Sequence, residues 1–253
     1  MTATIDHKNA LGYGIYTAPD IAQLLGVPRS KVNRYLKTYW DERMGRKIFN
    51  DSYTWQTNGS TKAVNFYVLI ELYTFFQLQE HGVPIKRILS ARENIAKERG
   101  FVYPFATSAI LTDGKQIFYQ FQDAIINANG TRQTNFVEII KDFVRKIDFD
   151  SDGNAQNFYP DGRQSSVVVN PHHQFGQPTI EGTNINAEMI FSMYQSGESM
   201  DLITHLYDLD MKAVTDAVHF YQKAAPSSSA RRYITEQLVP TGKFDFWRMP
   251  KDF

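Results

Sequence analysis

The sequence contains no cysteine among its 253 residues. This absence excludes a disulfide framework, a zinc site built on thiolates and a thiol-based redox sensor. It suits a reducing compartment, and we expect the protein in the cytoplasm. No segment approaches the roughly 20 apolar residues that a membrane-spanning helix requires. Residues 1–10 are polar and of mixed charge, without the apolar core of a signal peptide, so we expect no membrane association.

The chain also lacks net charge, because 27 Lys and Arg residues balance 27 Asp and Glu residues. The total therefore neither indicates nor excludes a nucleic-acid partner, and the distribution along the chain matters more. Residues 29–47 hold seven basic and two acidic side chains, whereas residues 181–225 hold seven acidic and two basic ones. The first region favours contact with phosphates, and the second would repel them.

Motifs that bring catalytic or metal-binding groups together are missing. There is no glycine-rich phosphate loop, no nucleophile elbow and no pair of zinc-binding histidines. His172 and His173 are adjacent, so their side chains point apart, and no third ligand has suitable spacing. Asp148, Asp150 and Asp152 alternate as in a calcium loop, but the glutamate that completes such a loop is absent. We therefore expect no catalytic residue, no metal site, no cofactor and no enzymatic activity.

The sharpest pattern lies in residues 16–36 and predicts a helix-turn-helix. Thr17 and Asp20 give the first helix a capping-box-like start, and Gly26 supplies the positive φ that a tight helix end needs. A second helix begins near Pro28. Apolar side chains at helical spacing are expected to face inward, namely Ile21, Leu24, Leu25, Val32, Tyr35 and Leu36.

The outer face of the second helix is polar and basic. Such side chains contact phosphates and base edges when a recognition helix enters the major groove. A hairpin over residues 44–62, with Asn58-Gly59 at its turn, is expected to form a wing. The predicted DNA-contacting residues are Arg29, Ser30, Lys31, Asn33, Arg34, Lys37, Arg46, Lys47 and Lys62. Because helix-turn-helix proteins usually read paired half-sites, we expect a homodimer on double-stranded DNA. The alternative is a packed helix pair whose charged face is only solvated.

Together these patterns predict a mainly α-helical α+β protein with small β elements. The expected order is a winged helix-turn-helix domain with a strand-containing extension (1–147), a linker (148–166), a helical module (167–225) and a tail (226–253). The extension is expected to hold strands at 108–111 and 116–121. The module is expected to begin with a strand at 167–169 and to continue with three helices near 186–196, 199–206 and 211–224.

The N-terminal part resembles the MerR-type winged helix over about residues 15–99. The resemblance is carried by Tyr16, Ile21, Ala22, residues 24–27, Arg34, Tyr35, Phe66, Leu69, Ile70, residues 82–84 and Ile88. The chain departs from that family because it has no cysteine ligands and no obvious long dimerisation helix. A metal-sensing role is therefore not expected.

Residues 167–222 resemble an antitoxin-like domain of unknown function, of the VapB type. The resemblance is carried by the glycines and prolines of residues 175–183, by residues 167–171, 195–199 and 206–210, and by Ile185, Val214, Ala217, Val218 and Tyr221. Residues 103–106 and 112–114 also resemble longer members, which place a MerR-like unit before this domain. The resemblance implies a cytoplasmic antitoxin of a type II toxin–antitoxin pair. It further implies a PIN-like ribonuclease toxin as partner and repression of the chain's own operon.

The tail is rich in the aromatic and arginine residues that are found at binding hot spots. An arginine inserted among the carboxylates of a PIN-like site would block metal binding through charge-assisted pairing. The predicted toxin-binding residues are Arg231, Arg232, Phe246, Trp247 and Arg248. In the alternative interpretation, these aromatic side chains dock onto the chain's own core.

Two other functions stay open from the sequence. One is a MerR-like transcriptional regulator that senses a small molecule through residues 101–146, without a toxin partner. The other is an enzyme such as a nuclease, which ranks last because no convergent acidic or histidine-based cluster is visible in the sequence.

Overall fold

The structure is a computed structural model that describes residues 12–49, 52–56, 61–108 and 144–223. Within these ranges the chain forms seven α-helices, a long π-helix and seven strands in two antiparallel sheets. The predicted α+β class is confirmed. None of the helices in these ranges is long and apolar enough to cross a bilayer. Apart from Ser108, the strands predicted at 108–111 and 116–121 lie outside the described residues, and so does the tail.

The helix-turn-helix forms as predicted. Its elements are β1 (Tyr16–Thr17), α1 (Ala18–Leu25), α2 (Arg29–Tyr35) and a π-helix (Leu36–Phe49) that continues α2. The backbone N–H and the hydroxyl of Thr17 both donate to the Asp20 carboxylate, at 2.8 and 2.6 Å, and so fix the start of α1. Gly26 ends α1 with a φ of +64°, a left-handed conformation that favours glycine.

The wing and two long helices follow. The elements are β2 (Trp55–Gln56), β3 (Lys62–Val64), α3 (Phe66–Glu80) and α4 (Ile85–Arg99). β3 pairs antiparallel with both β1 and β2, so β2 and β3 form a hairpin. It is shorter than the hairpin predicted over residues 44–62, because residues 44–49 belong to the π-helix. Its turn residues 57–60 lie outside the described ranges. α3 is buried along most of its length and forms the centre of this half.

The C-terminal half combines a four-stranded sheet with three helices. Its elements are β4 (Ile147–Phe149), β5 (Ala155–Phe158), β6 (Val167–Val169), β7 (Pro178–Ile180), α5 (Ala187–Gln195), α6 (Met200–Tyr207) and α7 (Met211–Lys223). The strands pair in sequence order. α7 packs against α5, α6 and β6 and so holds the helices to the sheet.

Residues 148–166, which the sequence predicts as a linker, contain β5. This strand pairs with β4 and β6, and its side chains Ala155 and Phe158 are buried. The ring of Phe158 lies 4.8 Å from that of Tyr73 on α3. The two halves therefore share one apolar core, and part of this stretch belongs to the sheet. The division of the chain into domains stays a prediction.

Candidate nucleic-acid interface

One side of α2 is held against the protein and the other faces solvent. Val32 and Tyr35 are buried, and the Tyr35 hydroxyl donates to the side-chain oxygen of Gln79 on α3 at 3.2 Å. The exposed side chains are Arg29, Ser30, Asn33, Arg34 and, in the first turn of the π-helix, Lys37. Residues four apart on a helix share a face, so these side chains form one polar and basic surface, the α2 face.

Lys31 differs from its neighbours on α2. It is half-buried, and its ammonium lies 4.5 Å from the centroid of the Phe76 ring on α3. This cation–π contact holds the side chain against α3. We therefore expect Lys31 to add positive charge beside the α2 face while it helps to attach α2 to the core.

At the base of the wing, Lys62 forms an ion pair with Asp41 of the π-helix at 3.1 Å. Asp41 is buried. It also accepts hydrogen bonds from the backbone N–H and hydroxyl of Thr54 and from the hydroxyl of Ser52. The carboxylate thus ties the π-helix to the wing strands. Lys62 keeps about half of its side chain exposed, 51%, while it anchors the wing.

The other basic side chains of this region divide into paired and exposed ones. The Nε of Arg43 donates to Glu93 of α4 at 2.6 Å, so Arg43 joins the π-helix to α4. Arg46 is exposed, and the side chain of Lys47 lies outside the described part of the chain. Among the described basic side chains from Arg29 to Arg46, four are therefore exposed: Arg29, Arg34, Lys37 and Arg46.

A buried ion pair that the sequence patterns did not single out lies behind this surface. Glu71 of α3 and Arg92 of α4 are fully buried, with Arg92 Nη2 at 2.5 Å from Glu71 Oε2. Glu71 also accepts from the indole N–H of Trp40 in the π-helix and from the backbone N–H of Phe105, at 3.1 and 3.2 Å. Arg92 donates in addition to the carbonyl of Val102 at 3.0 Å.

This network fixes the π-helix, and hence α2, on the two long helices. Burial alone would lower the pKa of Arg92, but the charge and hydrogen bonds of Glu71 outweigh it and raise that pKa, so the guanidinium stays charged. The sequence does carry one signal for this ion pair. Glu71 is the single charged residue in the apolar run FYVLIELYTFF of α3.

The predicted toxin-binding residues are not placed by the structure. Arg231, Arg232, Phe246, Trp247 and Arg248 all lie beyond residue 223, where the described part of the chain ends. Their role stays a prediction.

The fold and the α2 face define a winged helix-turn-helix unit that shares its core with an α+β module. Residues 167–221, from β6 to α7, match the family described as "Protein of unknown function (DUF433)".

The chain is similar to a protein of Mycobacterium tuberculosis (strain ATCC 25618 / H37Rv) named "Putative antitoxin VapB45". The two are 22% identical over 227 residues, which cover 81% of this chain and 92% of the relative. The X-ray crystal structure of Rv2018 from Mycobacterium tuberculosis matches with a TM-score of 0.63 at 20% identity, over 80% of this chain and 96% of that chain. This last likeness shows the fold alone. The family match thus covers the C-terminal helical module, and the relative that matches most of the chain is the one named as an antitoxin.

Proposed function

We propose that the protein is a non-enzymatic antitoxin that binds its own operator DNA through the α2 face, represses its operon and neutralises a PIN-like ribonuclease toxin. The observation that carries DNA binding is the division of α2, with Val32 and Tyr35 buried and Arg29, Asn33 and Arg34 exposed. Arg and Asn are the residues that make bidentate contacts with guanine and adenine in the major groove. The similarity to a protein named as an antitoxin supports the toxin–antitoxin part.

The wing is proposed to contact the DNA backbone beside the recognition helix. Asp41 joins the π-helix to Ser52, Thr54 and Lys62, so the wing keeps a fixed position relative to α2. Arg46 and Lys62, both exposed in part or in full, would then neutralise phosphates, as would Lys47. Contacts of this kind set the register of a protein on the duplex and carry no base specificity.

DNA binding is tested with a duplex from the chain's own promoter, by fluorescence anisotropy across a series of salt concentrations. We expect Arg34→Ala to weaken binding and to lower the slope of log affinity against log salt by about 1 if Arg34 contacts a phosphate. Lys97→Ala is the matched control, because Lys97 is an exposed cation on α4 and not on α2. Equal losses in both variants, or no binding of the wild-type protein at low salt, would contradict the proposal.

A homodimer is part of the proposal, because two copies of α2 would read two half-sites about 10 base pairs apart. Sedimentation of the complex gives the number of chains per duplex, and footprinting gives the spacing. A single chain that protects a single half-site would refute the dimer without affecting the α2 face.

Toxin neutralisation is tested by co-expression with the product of the adjacent gene, followed by pull-down and a growth assay. We propose that Arg231, Arg232 or Arg248 enters the carboxylate cluster of the toxin, with Phe246 and Trp247 as anchors. Deletion of residues 231–253 should then abolish neutralisation, and retained neutralisation would refute this role of the tail. DNA binding without any toxin partner would favour the MerR-like regulator instead.

A further inference from the structure

The three helices of the C-terminal half leave an apolar surface open to solvent. Leu202 and Leu206 lie one turn apart on α6 and are 41% and 56% exposed. The Tyr207 hydroxyl lies 3.6 Å from the sulfur of Met189 on α5, which places this exposed methionine beside α6. The exposed Met211 begins α7, close in sequence to the end of α6. We term the four exposed side chains Met189, Leu202, Leu206 and Met211 the α6 face.

Acidic side chains that have no ion-pair partner in the described part of the chain lie at both ends of α6. The exposed acids at the two ends of α6 are Glu198, Asp201 and Asp208, and none of them has an ion-pair partner within the described residues. The two lysines of this region are already engaged, since Lys212 pairs with Asp216 at 2.6 Å and Lys223 with Asp161 at 3.6 Å. The α6 face therefore has an apolar centre and a negative edge, which together favour an apolar partner that carries positive charge.

A second copy of the same face fits poorly, because it would bring two negative edges together. Residues 224–253 have the complementary character, with five basic and three acidic residues and the aromatic residues Tyr233, Phe244, Phe246, Trp247 and Phe253. We propose that in the chain without a bound toxin this segment docks on the α6 face of its own chain, with aromatic side chains over Leu202 and Leu206 and basic side chains toward the acidic ends of α6. This inference requires neither DNA binding nor a toxin.

The covalent connection makes this contact easy to reach. The segment leaves the end of α7, whose 13 residues span about 20 Å back to Met211. Its 30 residues span up to about 100 Å when extended, so they cover that distance several times over. A tether of this kind raises the effective concentration to the millimolar range, and methionine side chains adapt readily to different apolar partners. A modest intrinsic affinity is therefore sufficient to keep the face covered.

The absence of cysteine allows a clean test in the full-length protein. A nitroxide spin label is attached to the cysteine of the Thr241→Cys variant, and the methionine methyl groups are labelled with ¹³C. In NMR spectra the nitroxide broadens the methyl signals of methionines that lie near it. We expect a larger loss of signal intensity at Met189 and Met211 than at Met44, which lies in the π-helix of the N-terminal half. Leu206→Asp should restore both signals, because it places a charge at the centre of the face.

Phe175→Asp serves as the matched control, because Phe175 is a large apolar side chain with 69% exposure that lies outside the helices of the face. It should leave the broadening unchanged. Unbroadened Met189 and Met211 signals in the spin-labelled protein would overturn the proposal. Broadening that arises only between two chains would also overturn it. To detect this, a spin-labelled chain without ¹³C is mixed with a ¹³C-labelled chain that carries no nitroxide. Loss of DNA or toxin binding in separate assays bears only on the proposed function.

Discussion

At the scale of single residues, Glu71 and Arg92 carry opposite charges where both side chains are fully buried. Arg92→Met would leave the Glu71 carboxylate buried without its counter-ion, and we expect a loss of about 3–5 kcal/mol in the free energy of unfolding. Urea denaturation measures this loss. The double variant Glu71→Leu/Arg92→Met should recover part of it, because it removes the buried carboxylate that lacks its counter-ion. A single variant as stable as the wild type would contradict the structural role of the pair.

Asp148 makes stability depend on pH. Burial alone would raise its pKa, but hydrogen bonds from Arg163, Asn157 and Tyr159 lower that pKa overall. A carboxylate whose pKa is lower in the folded state stabilises the fold above its unfolded pKa of about 4, and this stability is lost as the pH falls through the folded value. Asp148→Asn should therefore be less stable than the wild type at neutral pH, and the difference should shrink below about pH 4.

Urea unfolding of both proteins at a series of pH values measures this difference. Asp152→Asn is a matched control in the same stretch, because it makes the same substitution at an exposed carboxylate, and its stability at neutral pH should stay close to that of the wild type. A stability difference between Asp148→Asn and the wild type that stays constant from neutral pH to pH values well below about 4 would rule out titration of Asp148 as its cause.

The exposure of side chains on α2 was predicted where local spacing decides it, whereas their role in binding stays a prediction. Helical periodicity separates Val32 and Tyr35 from Arg29 and Asn33, and the structure has the first two buried and the last two exposed. The partners that hold Lys31 and Lys62 were not predicted. Phe76 and Asp41 are distant in sequence from these lysines, and no local pattern reports a contact that tertiary packing creates.

At the scale of elements, the turn between α1 and α2 depends on Gly26. A Cβ at this position would meet no atom within 4 Å, so the cost of a side chain is conformational and not steric. We expect Gly26→Ala to lower the free energy of unfolding by about 1–2 kcal/mol. Gly26→Asn should cost less, because asparagine tolerates a positive φ. Equal losses in urea denaturation would show that the left-handed backbone is not the cause.

Elements with strong local signals were predicted from the sequence, and elements that depend on distant partners were not. α1 follows from the Thr17 cap and Gly26, and α5 to α7 follow from apolar stripes. β4 and β5 have three and four residues in a stretch polar enough to suggest a linker. Their strand character comes from pairing within the sheet and from the contact of Phe158 with Tyr73, neither of which leaves a pattern in the neighbouring residues.

At the scale of the whole molecule, the contacts between the halves decide how the protein unfolds. Phe158 packs on Tyr73 of α3, and the backbone N–H of Ile15 donates to the carbonyl of Phe175 at 3.0 Å. Independent domains have separate cores, whereas here buried residues of both halves belong to one cluster. We therefore expect the described residues to unfold in one cooperative transition, and the position of α2 to depend on the C-terminal sheet.

Phe158→Ala tests this coupling directly. Removing a buried aromatic ring costs about 3–5 kcal/mol, and the loss should be reported equally by circular dichroism and by tryptophan fluorescence. In a Trp247→Phe background the remaining tryptophans, Trp40 and Trp55, lie in the N-terminal half. The unfolding transition that their fluorescence reports should therefore shift to lower urea concentration in Phe158→Ala, even though Phe158 lies in the C-terminal sheet. If the halves were two independent domains joined by a spacer, the fluorescence transition would not shift and the circular dichroism signal would show two steps. This outcome would contradict the coupling.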